Sequence, residues 1–338
     1  MYPVLFELPA MPGWVAALAV ALLGAVFFWL GRRDKEDRSS WWLAAACGVG
    51  AVVVLAKYPG GSLPALPIRL FGILVVAGFL LATKVASWRN RGRNLLAGEE
   101  TFDLAFLVLL AGIAGARLFH VAQHSDDPEF AGHPQKIFYI WDGGLVWYGG
   151  ALAGALFAWY WLAKRGKDLW AVSDSLALAL PLGHAVGRIG CFCAGCDYGT
   201  VVPGGRDSIP WAVHFPTVDR YTLVPMEFRF DADTDADVYI HPVQLYLVLA
   251  NLLTFAILLW IDRKATKGAF AGRLLAMYLV LYAVARFVLE YWRGDRDRGV
   301  WFGDSVSTSQ LISIPVFLAG ILLYRALRGR HRAAPAAA

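Results

Sequence analysis

Long apolar segments alternate with short polar links along almost the whole of this chain. The hydrocarbon core of a bilayer is about 30 Å thick, and about 20 helical residues cross it. Strands of a membrane barrel alternate between apolar and polar residues, whereas these runs are continuously apolar. The pattern therefore predicts nine membrane-spanning helices, at 14–31, 41–56, 69–87, 102–121, 144–163, 173–193, 243–261, 272–291 and 309–325. The second of these runs is the shortest.

Every second polar link is rich in lysine and arginine, as is the C-terminal tail. Basic residues gather in cytoplasmic loops, so this alternation predicts an outside N-terminus and a cytoplasmic C-terminus. The leader 1–13 holds Glu7 but no Lys or Arg, which favours a first helix over a signal peptide. The basic links are 31–40, 88–93, 164–167 and 263–273.

Composition supports a membrane protein and excludes several other classes. Hydrophobic residues make up 58% of the 338, and charged residues only 17%, against about 25% in a soluble domain. The net charge of +5 is explained by the cytoplasmic loops, so we predict no nucleic-acid partner. Of the four cysteines, Cys47 lies alone in an apolar run and the other three are clustered, which is not a paired disulfide framework of the secreted kind.

We therefore predict an all-α polytopic membrane protein with one long extramembrane segment, at 194–241, between the sixth and seventh helices. This segment contains the acidic stretch "DADTDAD" at 231–237. A calcium loop of the EF-hand type needs a glycine at its sixth position and a terminal glutamate, and both are missing. The acidic stretch is therefore predicted to be a solvated loop.

Charged side chains inside apolar runs are functional candidates. Arg188 lies near the end of the sixth run, and Gly187 and Gly190 flank it. Arg286 and Glu290 lie near the end of the eighth run at i,i+4 spacing, so they share one helix face. By the predicted topology these residues lie near the outer surface. Arginines at headgroup depth suit a phosphate, because the guanidinium fork binds it bidentately.

Three thiols lie close together in "CFCAGC", at 191–196. Three ligands within six residues is not the usual paired spacing of a zinc site, so we predict no metal. A disulfide between two of them and free thiols are both compatible with the sequence.

These features occur in motifs that resemble the bacterial prolipoprotein diacylglyceryl transferase family. The resemblance covers about 66–325 and implies a seven-helix transferase core there. Residues 1–60 would then form two additional N-terminal helices, and 326–338 a basic cytoplasmic tail. The motifs follow in the order of the family: "IRLFG" (68–72), "GARLFH" (115–120), "WDGGLVWYGG" (141–150), "GRIGCFCAGCDYG" (187–199), "PWAVHFP" (210–216), "HPVQLY" (241–246), "YAVARFVLEYWRGD" (282–295) and "SQLISIPVFLAG" (309–320).

The resemblance implies transfer of a diacylglyceryl group from phosphatidylglycerol to the lipobox cysteine thiol of a preprolipoprotein. This is the first step of bacterial lipoprotein maturation, in the cytoplasmic (inner) membrane. The implied partners are phosphatidylglycerol, preprolipoprotein signal peptides and membrane lipids, with no cofactor. The residues predicted to be catalytic are Arg188, Arg286, Glu290, Tyr148 and His184. Those predicted to bind substrate are Arg188, Arg293, Gly199, Gly149, Asp142, Cys191, His241 and Gln244.

The chain departs from the family pattern at four motif positions. Tyr148 replaces a histidine thought to be a base, Cys191 an asparagine, Phe71 a tyrosine and Leu247 a glutamate. A tyrosine with an ordinary pKa near 10 is a poor base at neutral pH. His184 lies one helical turn before the sixth-run arginine and is predicted to supply the base instead.

Two other functions stay open at this point. A divergent relative would use another glycerolipid or acceptor, or would bind lipid without catalysis. A transporter or channel would place its charges near the membrane midplane, on broken helices, whereas these charges gather at one face.

Overall fold

The computed structural model describes residues 4–8, 11–12, 17–18, 21–22, 25, 28, 47–52, 62–63, 66–125, 134–139, 143–216, 223–231, 236–264, 269–295, 299–301 and 306–333. Helices dominate this part of the chain. The long ones are α1 (Leu70–Gly92), α2 (Gly98–Gln123), α3 (Trp147–Lys164), α4 (Leu169–Ala194), α5 (Val243–Arg263), α6 (Arg273–Leu289) and α7 (Thr308–Ala333). Short helical turns occur at Pro134–Phe138, Gly205–Ser208, Met226–Phe228 and Glu290–Trp292.

Six of the described helices are long and apolar enough to cross a membrane: α1, α2, α4, α5, α6 with its following turn, and α7. They correspond to the third, fourth, sixth, seventh, eighth and ninth predicted runs, which confirms an all-α polytopic membrane protein. The fifth run forms the 18-residue helix α3, but its crossing stays a prediction. The first two runs fall largely outside the described residues.

Two aspartate carboxylates accept hydrogen bonds from backbone N–H groups at the starts of two helices. Asp168 accepts hydrogen bonds from the backbone N–H groups of Trp170 and Ala171, at 2.9 and 3.1 Å, and so caps α4. Asp174, on α4, accepts from the N–H groups of Gly272 and Leu275 at 3.0 Å each, at the start of α6. A negative charge at a helix N-terminus satisfies unpaired donors and complements the helix dipole.

Short antiparallel ribbons supplement the helices, a feature that the sequence analysis did not predict. β1 (Val4–Leu8) pairs with β4 (Leu66–Arg69), with Glu7 opposite Pro67. The other pairs are two residues long: β2 (Met11–Pro12) with β3 (Ser62–Leu63), β5 (Phe230–Asp231) with β6 (Ala236–Asp237), and β7 (Val300–Trp301) with β8 (Val306–Ser307). Hydropathy misses them because such short segments carry no periodic signal.

The chain divides into two compact units. The larger unit comprises Met1–Leu22, Cys47–Ala86 and Ser173–Ala338, as far as these ranges are described. Within it, Ala177, Leu178, Leu258 and Leu274 form a buried core where α4, α5 and α6 meet. α6 also packs closely on α7. A Cβ at Gly320 of α7 would lie 2.9 Å from the backbone oxygen of Ala276.

The segment between α4 and α5 is more ordered than a solvated loop. Phe215, Val224 and Ile240 are each 1% exposed or less and form a small core of their own. The backbone of Ile240 exchanges hydrogen bonds with that of Val213, at 2.9 and 3.0 Å. Scattered apolar residues of this segment thus contact one another across about 25 residues of chain, whereas the solvated loop predicted for the acidic stretch 231–237 stays a prediction.

The smaller unit comprises Leu23–Ala46 and Ser87–Val172 as far as these are described, and packs α2 against α3. Glycines make the contact close: a Cβ on Gly115 would meet the backbone oxygen of Gly149 at 2.7 Å, and Gly112 and Gly150 oppose each other one turn away. This is the small-residue packing that membrane helices use. The buried Arg117 donates to the backbone oxygens of Ile137 at 3.0 Å and of Gly143 at 2.8 Å, and so holds two loop segments against α2.

Candidate functional site

The ends of α4 and α6 in the larger unit carry a chain of alternating charges. Arg188, near the end of α4, pairs with Asp197, whose other carboxylate oxygen lies 2.6 Å from Nη2 of Arg293. Arg293 lies 4.0 Å from Glu290, and Glu290 in turn pairs with Arg286 at 2.8 Å. The structure thus brings together all four charged residues that the sequence singled out in this region, through a fifth that it did not.

Asp197 is the residue that sequence reasoning missed. It lies three residues past the end of α4, outside the apolar run, and its backbone has a left-handed φ of 53°. Aspartate tolerates that region better than most residues, which is a weak local signal. Burial alone would raise the pKa of its carboxyl, but Arg188 and Arg293 outweigh burial and lower it. The carboxylate therefore stays ionised at neutral pH.

Arg293 is held on two sides by carboxylates. Its side chain is 6% exposed, and its Nε and Nη2 donate to the two oxygens of Asp295 at 2.9 and 2.5 Å. Although burial lowers its pKa, Asp295 and Asp197 raise it above the usual value. Such a guanidinium does not extend into solvent or the headgroup layer as an isolated arginine would.

The predicted i,i+4 pair forms at a deeply buried position where α6 ends and the turn Glu290–Trp292 begins. Glu290 is 2% exposed, and its Oε2 lies 2.8 Å from Nη1 of Arg286. The other terminal nitrogen of Arg286, Nη2, donates to the hydroxyl of Ser309 on α7 at 2.8 Å. Removing one partner of a buried pair leaves the other charge uncompensated, so this pair fixes where the guanidinium of α6 points.

Two of the arginines line a cleft, and a histidine orients one of them. Nε of Arg188 donates to Nε2 of His184 at 3.1 Å, so this ring nitrogen is the acceptor and the neutral ring carries its proton on Nδ1. Aromatic, amide and hydroxyl side chains of α5 and α6 complete the lining of this cleft. The lining residues are His184, Arg188, Leu247, Ala250, Asn251, Thr254, Tyr278, Tyr282, Ala285 and Arg286.

Gly199 lets two backbone segments meet beside the charges. A Cβ there would collide with the backbone of His241, and the residue forms a bridge with Arg293. The N–H of Thr200 donates to the oxygen of Trp292 at 2.9 Å. The glycine therefore acts through close packing that aligns Arg293 with the segment after α4.

Gln244 and His241, the two residues predicted at the start of α5, have distinct surroundings. Gln244 is 1% exposed, and its Nε2 donates to the backbone oxygen of Cys196 at 2.8 Å, so it supports the turn that carries Asp197. Nδ1 of His241 lies 3.1 Å from the hydroxyl of Tyr246. Burial lowers the pKa of His241.

Three predicted residues belong to the smaller unit or its undescribed part. Tyr148 lies in the first turn of α3, is 41% exposed and stacks edge-on with Trp147. Gly149 is buried, and a Cβ there would collide with Phe119. Asp142 lies outside the described residues. The roles predicted for these residues stay predictions.

A multi-pass membrane protein whose arginines line a cleft near the ends of two helices is suited to hold an anionic lipid headgroup. Comparison with known proteins agrees with this class. The family model described as "Prolipoprotein diacylglyceryl transferase" matches residues 61–326, and the chain belongs to that family.

Curated relatives carry the name phosphatidylglycerol–prolipoprotein diacylglyceryl transferase. A protein of Legionella pneumophila (strain Paris) is 32% identical over 79% of this chain and 95% of the relative. One from Symbiobacterium thermophilum is 34% identical over 76% of this chain and 88% of the relative. One from Mannheimia succiniciproducens is 32% identical over 81% of this chain and 93% of the relative. The similarity thus spans nearly the whole length of the relatives.

Proposed function

We propose that this protein transfers the diacylglyceryl group of phosphatidylglycerol to the cysteine thiol of a preprolipoprotein. The thiol sulfur forms a bond to the terminal glyceryl carbon, the bond from that carbon to the phosphate oxygen breaks, and glycerol phosphate leaves. The observation that carries the proposal is that Arg188 and Arg286 line one cleft among apolar and aromatic side chains. The similarity to transferases, which covers most of this chain and nearly all of the relative, supports the same reaction.

We assign a different role in the transfer reaction to each of the three arginines. Arg188 is 16% exposed and pairs with only one carboxylate oxygen, that of Asp197. A phosphate can therefore replace this oxygen on the guanidinium fork. Arg286 lines the same cleft and donates to the leaving phosphate as negative charge develops on it. Arg293 does not belong to the cleft lining among described residues, and we assign it the positioning of Asp197. Glu290 keeps Arg286 aimed through the buried pair.

A base must take the proton of the substrate thiol, because the thiolate is the nucleophile. His184 and Tyr148 are the proposed groups. Nε2 of His184 accepts a hydrogen bond from Arg188, so this histidine positions the arginine. Because Nδ1 carries the ring proton, His184 can take the thiol proton only when that hydrogen bond breaks. The variant His184→Gln separates the two roles, since an amide oxygen can accept that hydrogen bond but cannot take up a proton at neutral pH. Rescue by Gln relative to Ala indicates positioning; no rescue indicates the base.

The remaining assignments concern placement and partners. We place the protein in the bacterial cytoplasmic membrane with its N-terminus outside and its C-terminus in the cytoplasm, and we assign signal peptides of preprolipoproteins as acceptors. The alternating basic links support this orientation. Residues 1–60 would add two helices to the seven-helix core at 66–325, with 194–241 on the periplasmic side and 326–338 as the tail. A reporter fused after Arg332 should behave as cytoplasmic, and periplasmic phosphatase activity there would refute the orientation.

Complementation tests the reaction. In a bacterium depleted of its own transferase, the wild-type chain should restore growth and lipoprotein processing. Arg188→Ala should not, although it should reach the membrane at a similar level. Arg328→Ala, an exposed residue of α7, is the matched control and should complement. Purified protein given labelled phosphatidylglycerol and a lipobox peptide should yield diacylglyceryl peptide; transfer from another glycerolipid alone would show that the donor is wrong.

A further inference from the structure

The last turn of α4 ends in a specific C-terminal motif. The helix stops at Ala194, Gly195 follows with a left-handed φ of 76°, and the N–H of Cys196 donates to the backbone oxygen of Cys191 at 3.1 Å. A six-to-one hydrogen bond closed across a left-handed glycine is the outer hydrogen bond of a Schellman motif. The first and last residues of that bond are Cys191 and Cys196.

The motif accounts for the proximity of these two thiols. In a Schellman motif the side chains at the two ends of the six-to-one bond usually make an apolar contact. Here both ends are cysteine. The sulfur atoms of Cys191 and Cys196 lie within 4.8 Å of each other, and both side chains are partly exposed. Cys193, at the third position of the motif, projects to another helix face and is not part of this group.

A carboxylate oxygen of Asp197 lies within the same 4.8 Å, which raises the question of a metal. Zinc sites with thiolate ligands are almost always four-coordinate, and three ligand residues are present here. Both oxygens of Asp197 are already engaged, one by Arg188 and one by Arg293. Two guanidinium charges beside the thiols also repel a divalent cation. The surroundings of the two thiols therefore favour their oxidation to a disulfide over metal binding.

We propose that Cys191 and Cys196 form a dithiol site that oxidises reversibly to an intramolecular disulfide. The Schellman geometry supplies the approach, and rotation about the two Cα–Cβ bonds supplies the remaining movement toward a sulfur–sulfur bond of about 2.05 Å. The site needs no assumption about the transfer reaction, since it depends only on the end of α4.

The oxidant is an external disulfide, either a small-molecule disulfide or an oxidised dithiol protein. The thiolate of Cys191 attacks one of its sulfurs, and the first external thiolate leaves. Cys196 then loses its proton and attacks the sulfur of Cys191 in the mixed disulfide, releasing the second external thiol. Two protein thiols and one disulfide thus become one protein disulfide and two thiols. The neighbouring Cys191 thiol, with burial, raises the pKa of Cys196.

Oxidation would also affect the charged site. Cys196 is the residue before Asp197 in the chain, and the backbone oxygen of Cys196 accepts a hydrogen bond from Gln244. A disulfide would draw the side chain of Cys196 toward α4 and so shift the turn that leads into Asp197, the residue that pairs with both arginines. The dithiol is therefore adjacent in the chain to the residue that aligns Arg188 with Arg293.

The test counts thiols in the purified full-length protein. Samples equilibrated in buffers of oxidised and reduced glutathione are alkylated and weighed by mass spectrometry. The wild type has four cysteines; we expect four alkylated thiols in reducing buffer, and two with a mass loss of about 2 Da in oxidising buffer, through disulfide formation. The three thiols at 191–196 share one tryptic peptide, 189–206, so substitutions must identify the pair.

Cys191→Ser and Cys196→Ser should each abolish the paired loss, whereas the matched control Cys193→Ser should keep it with an unchanged midpoint. The proposal is overturned if four thiols remain free across the whole buffer range. It is equally overturned if Cys193→Ser abolishes the pairing, or if stoichiometric zinc is found bound and protects the thiols. Loss of the thiols as glutathione adducts without the internal bond would also refute it.

Discussion

Replacing Asp197 should cost stability that can be worked out from its contacts. The carboxylate makes one charge-assisted hydrogen bond to Arg188 and one to Arg293. Hydrogen bonds to charged groups contribute about 1.5–3 kcal/mol each, and the 28% exposure of the carboxylate favours the lower end. Asp197→Ala should therefore lower the free energy of unfolding by about 3 kcal/mol, or about a hundredfold in the equilibrium constant.

The asparagine variant separates charge from shape. Asp197→Asn keeps one side-chain oxygen for a single neutral hydrogen bond, so it should lose about half as much, roughly 1.5 kcal/mol. The assay is denaturant unfolding in detergent micelles, followed by tryptophan fluorescence. Asp207→Asn, an exposed aspartate of the same segment, is the matched control and should stay within about 0.5 kcal/mol of wild type.

The pH dependence follows from the lowered pKa of Asp197. A carboxyl group whose pKa is lower in the folded state stabilises fully above its unfolded pKa of about 3.9. This contribution is lost as the pH falls through the folded value. The gap between wild type and Asp197→Asn should therefore be constant from neutral pH to about 5 and shrink below about 4. An alanine variant within 0.5 kcal/mol of wild type at neutral pH would refute the bridging role.

Five further substitutions test the other contacts by transfer rate or unfolding. Arg188→Lys should lower the transfer rate about tenfold or more, because lysine cannot bind phosphate bidentately; near wild-type kinetics would contradict phosphate contact. Glu290→Gln should destabilise by about 3–5 kcal/mol by leaving a buried guanidinium uncompensated, and an unchanged unfolding midpoint would show that this pair is solvated. His184→Ala should reduce the initial rate more than Tyr148→Phe does across the pH profile, and the opposite order would reverse the assignment of the base. Gly199→Ala should destabilise by about 1–3 kcal/mol through its forced backbone shift, which unaltered unfolding would exclude.

The helices and the pair on α6 could be predicted because their signals are local. Hydropathy over about 20 residues identifies a membrane helix, and i,i+4 spacing is enough to place Arg286 and Glu290 on one face. The pairing of Asp197 with Arg293 could not be predicted in this way, since 96 residues separate them and only tertiary packing brings them together. The same holds for Arg117, whose partners are carbonyl oxygens of a distant loop that carry no sequence signature.

The end of α4 follows a local rule that can be read from the sequence. A glycine that follows an apolar helical run, with one residue after it, indicates a Schellman motif, and the motif relates that next residue to the one five positions earlier. In "CFCAGC" this relation selects Cys191 and Cys196 and leaves Cys193 out, so the open choice among three thiols reduces to one pair. The same turn sets the left-handed backbone of Asp197 and directs its carboxylate between two arginines. The cysteines and the charge bridge are therefore two consequences of a single helix ending, and a change to Gly195 should disturb both together.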